Sequence, residues 1–110
     1  MSALKEVIKM LIEAKQKGSA KLPRGLVLAY TPTVRGDSVD HRLVWSRKGS
    51  QPSAAEDKIL ESHFLAALNE LGIPKPKVVQ KDFQISLSPG WGSSLLVLRT
   101  GTVIQEALFE

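Results

Sequence analysis

HRLVWSRKGSQPSAAEDKILESHFLAALNELG, residues 41–72, is the stretch on which the fold turns. His41–Arg47 reads as a strand, and Lys48–Pro52 (KGSQP) breaks it. Ser53 then stands three residues before Glu56, the S-x-x-E spacing in which the serine caps a helix and the glutamate returns to the cap's N–H. Ile59, Leu60, Phe64, Ala67, Leu68 and Leu71 recur at helical steps and predict one buried stripe. Gly72 closes the helix, and Pro74 and Pro76 prevent its resumption. The result is a strand–loop–helix unit with Arg47 and Lys48 gathered at the turn.

Working outward toward the N-terminus, Leu4, Val7, Ile8, Leu11 and Ile12 predict an amphipathic helix over residues 2–17, with Ser2 as its cap and Gly18 at its end. Ser19–Arg24 is a short basic connection. Gly25–Thr31 (GLVLAYT) is nearly all apolar, the pattern of a strand covered on both faces, and Pro32 is expected to end it. Gly36, Asp37 and Ser38 then predict an antiparallel hairpin with a long loop.

On the C-terminal side, Phe83, Ile85 and Leu87 alternate with polar residues in a strand within Lys77–Leu87. Residues 88–93 (SPGWGS) read as a turn and 95–100 (LLVLRT) as a fourth strand. The tail, 102–110 (TVIQEALFE), fits either a helix or a strand. The order α-β-β-α-β-β predicts a single two-layer α+β domain over 1–110, with two helices on one face of a four-stranded, mainly antiparallel sheet.

At 110 residues the chain has room for one core. With 43% hydrophobic and 24% charged residues, it is not a disordered tail. No cysteine is present, which excludes disulfides, thiol catalysis and zinc-thiolate sites. No apolar run is long enough for a membrane span, and the N-terminal pattern is broken by charges, unlike a signal peptide. The expected setting is intracellular, in the cytoplasm.

Chemistry is sparsely signalled. G-x-S-x-G, the Walker phosphate loop and G-x-G-x-x-G are all absent. His41 and His63 have no evident nucleophile beside them and are expected to be structural or exposed. Asp37, Asp40 and His41 are of metal-ligand type, but their spacing is that of a polar hairpin loop. No metal or cofactor is implied, and an enzyme is the less favoured class. Arg47 and Lys48 precede a helix start that offers free N–H groups to an anion; Glu56 and Asp57 compete there, so capping is the stronger role. Trp91 sits between glycines. Folding back over the core is the ordinary fate of such a ring; left exposed, it offers a surface on which a base stacks.

The charge is uneven. Net charge is +4, and residues 1–55 hold ten Lys/Arg against four acids. That basic half favours polyanion partners through counterion release. The expectation is a non-catalytic binding domain that meets nucleic-acid phosphates through Lys5, Lys9, Lys21, Arg24, Arg42, Arg47 and Lys48, with Trp91 beside them. Lys5 and Lys9 share a helix face, which Lys21 and Arg24 would extend. The alternative is a protein-interaction or self-assembling module, built on the wide apolar stripe of the first helix and on the tail.

Overall fold

The computed structural model describes residues 2–70, 76–86 and 88–101, with side chains from residue 5 onward. Its elements are α1 (Ser2–Lys17), β1 (Ala20–Lys21), a 3-10 turn (Pro23–Gly25), β2 (Val27–Arg35), β3 (Ser38–Lys48), α2 (Ala54–Glu70), β4 (Lys77–Ile85) and β5 (Trp91–Gly101). The strands form a sheet in the order β1-β2-β3-β5-β4, and every neighbouring pair is antiparallel. The α+β class and the two helices agree with the sequence reading. The expected cap at Ser2, the contact of Leu4, the end of α2 at Leu71 and Gly72, and the tail 102–110 lie outside the described side chains or residues.

Among the described residues the sheet has five strands, not four. β1 is two residues, Ala20 opposite Leu28 and Lys21 opposite Val27, too short for any periodicity to register. β2 runs through Pro32 to Arg35 instead of ending there. Beyond β1 its outer side is a sheet edge, where a proline with no N–H to donate is tolerated. The hairpin loop is also tighter than expected. Arg35 pairs with Ser38, leaving Gly36 and Asp37 as a two-residue turn. Gly36 has φ 59° at the first central position, where a tight hairpin turn calls for glycine. The turn before β5 ends at Gly90, so Trp91, Gly92 and Ser93 belong to the strand.

β3 lies at the centre, between β2 and β5. Its alternate residues Val39, His41, Leu43 and Trp45 are all buried. Against this face pack Val7, Leu11 and Ala14 of α1, Phe64, Ala67 and Leu68 of α2, Leu28 and Tyr30 of β2, and Leu96 and Leu98 of β5. Trp45 is fully enclosed, its ring centre 5.9 Å from that of Phe64 and 6.0 Å from that of Phe83. Burial of a side chain this large contributes roughly 4–6 kcal/mol as an upper estimate.

Both predicted helix stripes are narrower than expected. In α1, Ile8 and Ile12 are only half-buried, on the flank of the stripe. In α2, Ile59 is 55% exposed. A helix resting on a sheet seals a limited arc, and these residues lie at or beyond its margin.

Candidate functional site

Strand alternation divides the sheet's side chains between two faces. One face is covered by α1 and α2. No helix of the described residues packs on the other. Pairing register shows what this second face carries. At one end Lys48 stands opposite Trp91. The next row crosses Lys21, Val27, Ser46, Ser93 and Ile85. Ala29, Val44 and Leu95 form an apolar middle that ends at Asp82 on β4. Then come Thr31, Arg42, Val97 and Gln80, followed by Thr33, Asp40, Arg99 and Lys77, and finally Arg35. Lys21, Arg35, Arg42, Lys48, Lys77 and Arg99 thus outnumber Asp40 and Asp82 on this face.

The Arg42 end is organised around Asp40. Arg99 donates to both of its carboxylate oxygens, Nε at 2.7 Å and Nη2 at 3.1 Å, and Arg35 Nη1 donates at 3.2 Å. The Arg99 guanidinium, aided by Arg35, holds the Asp40 carboxyl down at about 2. One carboxylate thereby fixes two guanidinium groups and leaves a surplus of positive charge. Arg42 is exposed beside them and outside this cluster. Thr33, Arg35, Asp40, Arg42, Gln80 and Val97 line a hollow of about 300 Å³.

At the opposite end Trp91 is half-exposed, and Lys48 across from it is exposed. A second open hollow of about 260 Å³ lies between residues 49–51 and 90–92. Gly49 N donates to Gly90 O at 2.9 Å, which ties the two loops together. A Cβ on Gly92 would stand 2.3 Å from Ser50 O, so only glycine lets the loop pass this close.

The sequence candidates therefore separate. Lys21, Arg42, Lys48 and Trp91 share the helix-free face. Lys5 and Lys9 lie on α1, on the other side of the sheet from Lys21. Arg24 lines a groove between the helices, together with Met10, Ile59 and His63. Arg47 is committed to structure. It donates to Glu56 through Nη2 and to the carbonyl of Arg24 through Nε. Glu56 is also half of the capping box: Ser53 N donates to its Oε1 at 2.9 Å, and its own N–H donates to Ser53 Oγ at 3.1 Å. Arg47, with Ser53, draws the Glu56 carboxyl down to about 2.

Arg35, Lys77 and Arg99 joined this face without being singled out from sequence. Their signal was the two-residue alternation continued to the strand ends, which needs the β3–β5–β4 register to become a surface.

The two histidines differ in setting: His63 is exposed on α2. His41 is buried, with Nδ1 2.6 Å from Tyr30 Oη and Nε2 2.7 Å from Thr100 Oγ1. Burial lowers it to about 4 and also raises the Tyr30 hydroxyl. Asp40 and His41, adjacent in sequence, point to opposite faces of the sheet. Likewise Lys81 pairs with Glu61 of α2 on the helix side, at 3.1 Å, away from Asp82 and Asp40. No helix among the described residues is long and apolar enough to cross a membrane.

Comparison of the chain with protein-family models, with curated proteins and with solved structures finds no match.

Proposed function

We propose that this protein is a non-catalytic domain that binds nucleic acid across the helix-free face of its sheet. The observation that carries the reading is the convergence there of Lys21, Arg42, Lys48, Lys77 and the Asp40-anchored arginines Arg35 and Arg99. They come from five strands and from both halves of the chain. A surplus of lysine and arginine on one face favours a polyanion by releasing its condensed counterions. Anchored guanidiniums lose less conformational freedom on meeting a phosphate than free ones do.

The test is binding of labelled DNA and RNA at low and physiological salt by fluorescence anisotropy. The double variant Arg42→Glu/Lys77→Glu is expected to weaken binding at least tenfold, while Lys5→Glu/Lys9→Glu on α1 leaves it nearly unchanged. The reverse pattern refutes this face. Arg42 and Lys77 are exposed, so the variants should melt as the wild type does.

Self-association is the second reading, supported by the outer flank of α1. There Ile8 and Ile12 sit among Lys5, Lys9, Glu13 and Gln16 around an open concavity of about 770 Å³. Light scattering on wild type and on Ile12→Glu tests it; a wild-type monomer at high concentration removes it.

A further inference from the structure

Resting on the nucleic-acid reading, we infer that the ligand is single-stranded, and that it runs from Trp91 over β3 and β2, with one base stacked on Trp91 and its phosphates following the cations toward Arg42 and Arg99. Shape favours a single strand over groove entry by a duplex. The long strands β2, β3, β5 and β4 lie side by side. At about 4.8 Å per spacing their axes span roughly 14 Å before side chains are added. The major groove of a duplex is about 12 Å wide and admits a helix or a two-stranded ribbon, so this face cannot enter it. Proteins that kink a duplex at its narrower minor groove often insert large apolar wedges between base steps. Here the apolar residues of the middle are short or already seated: Val44 and Ala29 are half-buried, and Leu95 and Val97 are 3% and 7% exposed.

A single strand meets no such limit. Its unstacked bases need an aromatic surface and an apolar floor, and its backbone needs cations alongside. Trp91 is half-exposed at one end, with Lys48 directly opposite and Lys21 in the next row. Val44 and Ala29 supply the floor, and Arg42 and the hollow beside it receive the strand at the other end. Trp91 and Arg99 are eight residues apart along β5, about 26 Å at strand rise. That length suits a site at the short end of the ~4–16 nucleotides usual for sheet-based single-strand binders.

The experiment compares labelled single strands of about ten nucleotides with the matching duplexes, reading anisotropy together with tryptophan emission. Trp45 is fully buried, so quenching on binding reports Trp91. Expected are tighter binding of the single strand, quenching on saturation, and a loss of about fivefold or more in Trp91→Ala, with Trp91→Phe keeping part of the affinity. Equal or tighter binding of duplex, or saturation without quenching, overturns the single-strand inference and leaves phosphate contact standing. Binding of neither form overturns both and turns attention to a protein partner. If Trp91→Ala melts early, the quenching result and Trp91→Phe decide.

Discussion

At the residue scale, three hydrogen-bonded titratable side chains set the protein's response to acid. His41 is held between Tyr30 and Thr100 and stays neutral down to about 4. The unfolded chain takes up this proton near 6.5, so between these values the unfolded state binds more protons, and stability falls as pH drops through that window. The full effect is about 3 kcal/mol, nearly all of it lost below pH 4. Asp40 and Glu56 act lower. Their folded values, near 2, lie below their ordinary values of 3.8 and 4.5, so they stabilise above about pH 4 and lose that contribution as pH falls toward 2. Urea unfolding from pH 7 to 3 is expected to show a first decline between 6.5 and 4, which His41→Leu flattens, and a second below it. Asp57 makes a separate point. It is fully buried, its Oδ1 accepts from Trp45 Nε1 at 2.7 Å, and its Oδ2 has no hydrogen-bond partner among the described residues. Asp57→Ala leaves the indole N–H unpaired and is expected to cost about 1–3 kcal/mol. Asp57→Asn keeps an acceptor and should cost less in the same denaturation series.

At the element scale, the start of α2 and the start of β5 are bound into one corner. Ser53 caps α2, Glu56 answers it, and Arg47 at the end of β3 holds Glu56. Ser53→Ala is expected to cost ~1 kcal/mol. Glu56→Gln loses the ion pair but keeps an acceptor for the cap, so its cost should shrink in high salt while that of Ser53→Ala does not. The loop between β3 and α2 lies against Gly92 so closely that Gly92→Ala forces either the loop or β5 aside, an overpacking cost of about 1–3 kcal/mol. Thermal melts rank these three. Gly92→Ala also shifts the Gly49–Gly90 contact and hence Trp91, so it should weaken oligonucleotide binding as well as stability. At the far edge, β4 breaks register between Val78 and Gln80 and again between Asp82 and Ile85. Bulges of this kind, with Lys77 and Lys81 beside them, discourage a further strand from adding there.

Across the whole molecule, the helices and the proposed binding face lie on opposite sides of one sheet, so exposed cations on that face can be changed without touching the helix-side core. Lys21, Arg42, Lys48 and Lys77 are exposed, and each phosphate contact on a single strand contributes about −0.7 to the slope of log affinity against log salt. A slope of roughly −3 is expected for four contacts, and removing Arg42 should make it shallower by about 0.7. A slope near zero would mean that the charges lie outside the contact. The same separation explains why much of the architecture could be read in the sequence and the surface could not. Helical spacing in Phe64, Ala67 and Leu68, the apolar run 25–31, and the Ser53–Glu56 box are local patterns, and local sterics and hydrogen bonding fix them within a few residues. Two-residue β1 and the continuation of β2 through Pro32 depend on pairing with the next strand, and the strand status of Trp91 on Lys48, distant in sequence; only the assembled ladder supplies these. The sequence by itself determined the helices, the hairpin between β2 and β3 and the excess of positive charge. The tertiary structure alone decided that Lys21, Arg42, Lys48 and Trp91 share a face while Lys5 and Arg24 do not, and that Arg47 serves a helix cap. The physical reason is that charge carries no periodic signature of its own: where a lysine or arginine ends up is set by the register of strands it never touches in sequence.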